Sequence, residues 1–261
     1  MFKQPPSRRQ LLAAGACLPL LMSLPPAQAQ QALRAVGVFA LLGDVLQVVQ
    51  PADVTDTRIE RSSREDLIVA DIGLDQAALR AAHEALGRHS PKAQRLMYRA
   101  PTALSVDQQR EIAAGAQRAE LPGWIVGAIQ SAQLSHVLLI TRNRGDARFP
   151  VEDGHSVGRG TVEGIGFYLD KTTEVKNAST GHLSRGFLGP FVQIRLQLME
   201  VASGNVIAQE DLRASRMAAG RRDEDVSNAW NALGPREKVD TLREMVQQNV
   251  ARLMPQLLAK V

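Results

Sequence analysis

Alternation between apolar and polar residues predicts several β-strands in the second half of the chain. The clearest strand covers residues 192–198, and a Ser-Gly-Asn turn at 203–205 leads to a return strand at 206–208, so these segments predict a hairpin. One face of the first strand is entirely apolar, with Val192, Ile194, Leu196 and Leu198. Apolar runs predict two more strands, at residues 136–141 and 162–170.

The amino-terminal half contains two apolar runs, residues 33–42 and 45–49, on either side of Gly43 and Asp44. A Gly-Asp pair between two apolar runs is typical of a tight turn. We therefore expect these two runs to pair with each other as a hairpin. The polar stretch at 51–66 predicts a solvated edge or loop.

Helix start and stop signals mark four segments. Asp75 as a cap and Gly87 as a stop predict a helix over residues 76–86. Three further helices are opened by a Ser105–Gln108 capping box, by Pro122 and by Gly234–Pro235. The last one is long and amphipathic, and we expect Pro255 to end or kink it.

The first 29 residues have the order of a cleavable export signal. An arginine pair within Ser7–Leu12 precedes an apolar run that ends at Leu24, and small residues follow at Ala27–Ala29. The arginine pair resembles the twin-arginine signal, and an ordinary secretory signal is the open alternative. We expect cleavage after Ala29, which places the mature chain, residues 30–261, in a bacterial periplasm.

Removal of this segment changes the charge and the cysteine content. Lys3, Arg8 and Arg9 are three of the 31 basic residues, so 28 basic and 27 acidic residues remain and the net charge falls from +4 to +1. A nucleic-acid partner is therefore not expected. Cys17, the only cysteine, lies inside the signal; a lipid anchor there is an open alternative. The mature chain lacks disulfides and cysteine nucleophiles, and we expect no transmembrane segment in it.

These elements predict an α+β fold, in which a mixed, largely antiparallel sheet packs against helices and a long carboxy-terminal amphipathic helix. Residues 30–261 suffice for one large domain or two small ones. The sequence leaves open whether residues 31–100 form an amino-terminal lobe beside a core lobe of residues 101–261.

The hairpin at 191–208 has Leu-Met-Glu-Val-Ala-Ser-Gly at its turn and Asn-Val-Ile-Ala at the start of its return strand. It resembles a hairpin of bacterial envelope proteins, where a Leu-x-Asp-Val-x-x-Gly turn precedes x-Val-x-Ala. The families are the TolB amino-terminal domain, the outer-membrane activators of penicillin-binding proteins and the curli secretion lipoprotein. Glu200 stands where they have aspartate. The resemblance covers the second half of the chain and implies a protein that docks partners without catalysis.

A glycine-rich segment between Gly145 and Gly189 carries clustered charged residues, a composition typical of binding loops. The predicted binding residues are Arg142, Arg144, Asp146, His155, Arg159 and Arg185. Arginine suits carboxylate and phosphate groups, so the expected partner is an envelope protein or an anionic envelope polymer. Solvated hairpin connections are the alternative interpretation.

Residues 154–158, Gly-His-Ser-Val-Gly, match the nucleophile elbow of serine hydrolases. In that alternative Ser156 is the nucleophile, His182 or His155 the base and Asp170 the orienting acid. The flanking residues do not show the strand before and the helix after that an elbow requires. A non-catalytic binding protein is therefore the preferred hypothesis.

A third hypothesis is a structural subunit that forms oligomers through the last helix. It predicts that the apolar stripe on residues 239–253 is left uncovered by the chain itself. The histidines show no metal-ligand spacing, and no phosphate-binding or dinucleotide motif is present. We therefore expect neither a metal nor a cofactor.

Overall fold

The computed structural model describes residues 33–51, 54–55, 58–59, 62–100, 104–117, 120–151, 154–176, 183–218 and 229–261. The predicted signal at 1–29 and His182 lie outside these ranges. The strands are β1 (Ala35–Ala40), β2 (Val45–Gln50), β3 (Val54–Thr55), β4 (Arg58–Ile59), β5 (Ser63–Ile68), β6 (Gln94–Arg99), β7 (His136–Arg142), β8 (Arg144–Asp146), β9 (Phe149–Pro150), β10 (Ser156–Val157), β11 (Thr161–Glu163), β12 (Ile165–Lys176), β13 (Leu183–Glu200) and β14 (Val206–Ser215). The helices are α1 (Leu74–His89), α2 (Val106–Ala116), α3 (Gly123–Ser131) and α4 (Pro235–Leu258), with a 3₁₀ turn at Ala229–Ala232.

Eight of the described strands form one mixed sheet. Along β13, residues 183–192 pair with β12, residues 194–200 pair with β7, and residues 191–199 pair with β14. Since β14 overlaps both of the others, β7 and β12 must lie one after the other along the opposite edge of β13. Next to them, β1 runs parallel to β7 and β2 runs parallel to β12. The outermost strands are β6 beside β1 and β5 beside β2.

The predicted α+β class, with its mixed and largely antiparallel sheet, is confirmed. Residues 32–261 form one compact unit. Strands from 31–100 and from 101–261, the two candidate lobes, lie side by side in the same sheet. The predicted hairpin around 203–205 is confirmed as the connection between β13 and β14.

The hairpin predicted at Gly43 and Asp44 is wrong. The two strands form as predicted, but β1 lies between β6 and β7 whereas β2 lies between β5 and β12. The two strands lie end to end in the sheet and run in the same direction, and residues 41–44 interrupt the strand between them. Gly43 has φ +64°, a conformation that suits an irregularity within a strand as well as a reversal of the chain.

One face of the sheet is covered by α1 and α4. The side chains that point to it include the apolar set predicted for residues 192–198, so that prediction is confirmed. The apolar stripe of α4 packs into the same core, with Leu242, Met245, Val246, Val250 and Leu253 buried. The chain itself therefore covers the stripe that the structural-subunit hypothesis predicts to be uncovered.

The opposite face carries two separate apolar clusters. Helices α2 and α3 cover the part formed by β1 and β7, where Phe39 and Leu139 pack against Ile125. Residues 144–163, described except for 152–153 and named the excursion below, cover the part formed by β12 and β13. The excursion leaves the sheet after β7 and returns to it at β12.

Helix α2 begins with the predicted capping box, since Ser105 Oγ accepts a hydrogen bond from Gln108 N and Gln108 Oε1 accepts one from Ser105 N. Helix α1 differs from its prediction, because it begins at Leu74 and continues through Gly87 to His89. Asp75 is not its cap. The Asp75 carboxylate instead binds the chain at the interruption between β1 and β2.

Helix α3 forms where Pro122 predicts it, and Ile125 is its one buried residue. Helix α4 continues past Pro255 to Leu258, so Pro255 does not end it. In the part of the chain that the structure describes, no helix has both the length and the apolar content needed to cross a membrane.

Candidate functional site

Arg142, one of the predicted binding residues, is buried with 4% of its surface exposed. It is the last residue of β7 and lies on the same face of that strand as Leu138 and Ile140, which belong to the core under α1 and α4. Its guanidinium donates to the Leu42 carbonyl from Nε at 2.7 Å and to the Val45 carbonyl from Nη2. Both carbonyls border the interruption between β1 and β2. Arg142 therefore holds that interruption together and is not available to an external ligand.

Asp75 binds the same interruption from α1. Its Oδ1 accepts hydrogen bonds from Leu42 N at 2.7 Å and from Gly43 N at 3.3 Å. Burial raises the pKa of Asp75, and the two N–H donors and the charge of Arg142 oppose that rise. Burial also lowers the pKa of Arg142 to about 10. Asp75 and Arg142 thus provide hydrogen-bond partners for the backbone N–H and carbonyl groups at the interruption between β1 and β2.

Gly164 provides the space for the Arg142 side chain. It has φ +67°, and a Cβ at this position would lie 2.8 Å from Arg142 Cδ. Glycine meets both requirements, because it adopts positive φ without strain and has no Cβ.

The excursion begins and ends in a two-stranded ribbon of β8 and β11. Thr161 lies opposite Asp146, and Glu163 lies opposite Arg144. Directly opposite residues share a face, so these four side chains lie on one face of the ribbon. Val162 points the other way into the buried cluster. We call the side with Arg144, Asp146 and Thr161 the outer face.

Glu163 attaches the ribbon to α2. Arg110 on that helix donates to both carboxylate oxygens of Glu163, with Nε–Oε1 and Nη2–Oε2 distances of 2.5 Å. This hydrogen bonding raises the pKa of Arg110. Glu163 N donates to Gln47 Oε1 at 3.2 Å. The bidentate pair and the strand contact fix the position of the ribbon on the sheet.

Two arginines meet at Thr161 on the outer face. Arg144 donates to Thr161 Oγ1 from Nη2 at 2.9 Å and from Nε at 3.2 Å. Arg64, from β5, donates from Nη2 to Thr161 Oγ1 at 2.9 Å and to the Thr161 carbonyl at 3.1 Å. Within the described ranges, neither arginine forms an ion pair with a carboxylate.

Sequence reasoning missed Arg64. It lies in the polar stretch 51–66, which predicts only a solvated edge, and it is 97 residues from Thr161. The pairing of β5 with β2, and of β2 with β12, brings it to the excursion. The sequence around Arg64 contains no signal that predicts its contact with Thr161.

An open groove of about 330 Å³ lies beside the ribbon. Residues 146–148 line one side of it, and Ser156, Val157, Gly158 and Gly160 line the other. The two sides touch at Gly158, where a Cβ would lie 2.5 Å from the Ala147 carbonyl oxygen. Arg148 pairs with Asp146 at 3.4 Å. Ser215 Oγ donates to the Arg148 carbonyl at 2.5 Å and thereby ties the groove to β14.

The remaining predicted binding residues are exposed but do not form one cluster. His155 and Arg159 belong to the excursion, and the Arg159 N–H donates to the Tyr168 hydroxyl at 2.8 Å. Arg185 lies outside the excursion, on β13 opposite Glu174. Across the described residues there is no group of three metal-ligating side chains.

Ser156, the nucleophile of the hydrolase alternative, does not lie in the strand-to-helix turn that a nucleophile elbow requires. Ser156 is exposed on β10, paired with Pro150 on β9, and the next elements are β11 and β12. An elbow requires a turn from a strand into a helix. His182 lies outside the described residues, so the alternative stays a prediction on that point.

Asp170 is occupied by its own turn. Its carboxylate accepts hydrogen bonds from Thr172 N and Thr173 N at 2.8 Å each, and from both threonine hydroxyls. Burial would raise the pKa of Asp170, but these hydrogen bonds outweigh burial and lower it. Asp170 thus stabilises the irregular part of β12.

No protein-family model matches the chain, and no curated protein sequence matches it. Three solved bacterial structures show a distant likeness. Protein XCC0632 from Xanthomonas campestris, described under the family model DUF330, has a TM-score of 0.35 at 8% identity over 90% of this chain and 89% of its own. PelC from Paraburkholderia phytofirmans, solved as a dodecamer, has a TM-score of 0.29 at 11% identity over 87% and 88%.

The hypothetical protein CT253 from Chlamydia trachomatis has a TM-score of 0.31 at 12% identity over 87% of this chain and 95% of its own. Likenesses at this level decide neither the fold nor the function. None of the three is described as a TolB domain, a penicillin-binding-protein activator or a curli lipoprotein. The resemblance of the 191–208 hairpin to those families stays a prediction.

Proposed function

We propose that this chain is an exported, non-catalytic protein that binds a protein or an anionic polymer of the bacterial envelope. The outer face of the excursion, with the groove beside it, is the contact surface. The observation that carries this proposal is the convergence of Arg64 and Arg144 on Thr161 next to an open groove. The envelope location rests on the signal predicted at residues 1–29.

The two sides of the excursion differ in what they contribute to the fold. Phe149 and Val162, on the inner side, close the cluster over Tyr168. The sheet itself is already continuous without the excursion, because Gly164 N donates to the Asn143 carbonyl at 2.8 Å where the chain leaves and returns. The arginines of the outer face are therefore not needed to complete the sheet.

The outer face is also held in place before any partner binds. Glu163 attaches the ribbon to α2, Tyr168 holds the chain at Arg159, and Ser215 holds it at Arg148. A surface that is already ordered loses less conformational entropy on binding. These attachments support a binding role for the groove.

Site-specific photocrosslinking in intact cells tests the proposal. A photoreactive amino acid replaces Ser156 in the groove, and the matched control carries it at Glu84, which is exposed on α1. We expect a discrete adduct in the periplasmic fraction from position 156 and none from position 84. Protease treatment of the adduct distinguishes a protein from a polymer. Equal adducts from both positions, or none from position 156, contradict the proposal.

A further inference from the structure

We propose that Arg64, Arg144 and Thr161 form a binding site for an oxyanion, and that the ligand is an anionic polysaccharide or another anionic polymer. The inference rests on the proposed function, since the site lies on the same outer face. It adds the chemistry by which that face recognises its partner.

The geometry suits an oxyanion. The Nη2 atoms of Arg64 and Arg144 each lie 2.9 Å from Thr161 Oγ1, so the two nitrogens are within twice that distance of each other. A carboxylate or phosphate oxygen accepts a guanidinium hydrogen bond at about 2.8 Å. One oxyanion can therefore accept a hydrogen bond from each arginine.

The charges around the site leave it positive. Two guanidinium groups that converge on one neutral hydroxyl repel each other, and a bound anion removes that repulsion. Two of the nearby carboxylates are directed to other cations, and a third, Asp66, lies two residues from Arg64 on β5. Glu163 is bound by Arg110, and Asp146, opposite Thr161, pairs with Arg148.

The excursion and its groove favour a polar polymer over a folded protein. Protein interfaces usually centre on buried aromatic or aliphatic anchors. Among the described residues, the exposed large apolar side chains are Leu67 and Ile68, which follow Arg64 on β5, and Val126 on α3; none lies in the excursion or lines the groove. The groove is lined mainly by charged, hydroxyl and glycine residues and is open to solvent.

The test uses the mature protein purified from the periplasmic fraction and three polymers of defined chemistry. Polygalacturonate carries carboxylates, polyphosphate carries phosphates and dextran is neutral. Isothermal titration gives the affinity of the parent protein and of Arg64→Gln, Arg144→Gln and Thr161→Val. Arg99→Gln is the matched control, because Arg99 is exposed on β6 and has no ion pair in the described part of the chain.

We expect the parent to bind at least one polyanion and not dextran. Each of the three site variants should bind about tenfold more weakly, because each loses a charge-assisted hydrogen bond or its alignment. Arg99→Gln should bind like the parent. Thr161→Val leaves the charge unchanged, so its loss of affinity distinguishes the arranged site from general attraction. The polymer that binds more tightly identifies the oxyanion.

Several outcomes overturn the inference. These are no binding of either polyanion, binding of dextran, or an equal loss in Arg99→Gln and Arg64→Gln. Circular dichroism and the urea midpoint of each variant show that the fold is retained. An adduct at position 156 without polyanion binding removes this inference and keeps the proposed function. Polyanion binding that depends on Arg64 without an adduct in cells keeps the oxyanion site and contradicts the proposed contact through the groove at position 156.

Discussion

Replacement of Arg142 by methionine tests whether this buried arginine holds the broken strand line together. Methionine is similar in length and apolar, but it has no donor for the carbonyls of Leu42 and Val45. Asp75 would keep its two backbone donors and lose the nearby positive charge. The substitution therefore removes hydrogen bonds without opening a large cavity.

The expected loss follows from these contacts. A buried carbonyl without a donor costs about 1–3 kcal/mol, and two carbonyls lose theirs. Part of this cost is offset, because methionine has no charge and so avoids the desolvation that lowers the pKa of Arg142 to about 10. We therefore expect the free energy of unfolding to fall by about 2–4 kcal/mol.

The loss should also depend on pH. The pKa of Asp75 is raised in the folded state, so its ionisation lowers the free energy of unfolding as pH rises through that pKa. Arg142 opposes the rise, and its removal raises the pKa further. The penalty of Arg142→Met should therefore be larger near pH 7 than at about pH 4.

Urea unfolding followed by fluorescence and circular dichroism measures the effect. Arg99→Met is the control for an exposed arginine, and a surface change of this kind stays within about 0.5 kcal/mol. Arg142→Lys retains one charged donor and should recover part of the loss. If Arg142→Met differs from Arg99→Met by less than about 0.5 kcal/mol, the carbonyl contacts do not hold the interruption.

Two further predictions concern residues outside the groove. Gly164→Ala would place a Cβ 2.8 Å from Arg142 Cδ at φ +67°, so we expect the free energy of unfolding to fall by about 1–3 kcal/mol. Part of this loss comes from displacing the Arg142 side chain, so urea unfolding should show the loss to be less than additive with that of Arg142→Met. Full additivity would contradict this shared cause. Asp211 accepts a hydrogen bond from Arg195 Nε at 2.7 Å, and this bond lowers the pKa of Asp211. The contribution of Asp211 to the free energy of unfolding is therefore present above about pH 4 and is lost as pH falls through the lowered pKa. Asp211→Asn should cost about 0.5–1 kcal/mol near pH 7 and nothing at about pH 2, and an equal cost at both values refutes the linkage.

Several strands of the sheet could be predicted from the sequence, but β6 was missed and most strand partners could not be predicted. The two faces of β13 follow from an alternation that is local to residues 192–198. One partner of each of the first two strands, β7 for β1 and β12 for β2, comes from a segment a hundred or more residues away. At Gly43 the same local signal fits a hairpin and an interrupted strand, so the sequence did not distinguish them.

The candidate site was predicted in part for similar reasons. Arg144 and Asp146 lie in a glycine-rich segment, and that composition identifies an exposed loop. Arg142 is only two residues away in sequence, but it still belongs to β7 and faces the buried side. Arg64 reaches Thr161 through strand pairing, which composition does not report.

The interrupted line of β1 and β2 has a consequence for the order in which the chain can fold. These early strands occupy interior positions, each flanked on one side by a strand near in sequence and on the other by β7 or β12. During synthesis, β1, β2, β5 and β6 emerge long before β12. Until then one edge of β2 has no partner, and an open edge is a template for association with other chains. Folding of this protein is therefore completed late, and a chain interrupted before β12 is exposed to aggregation.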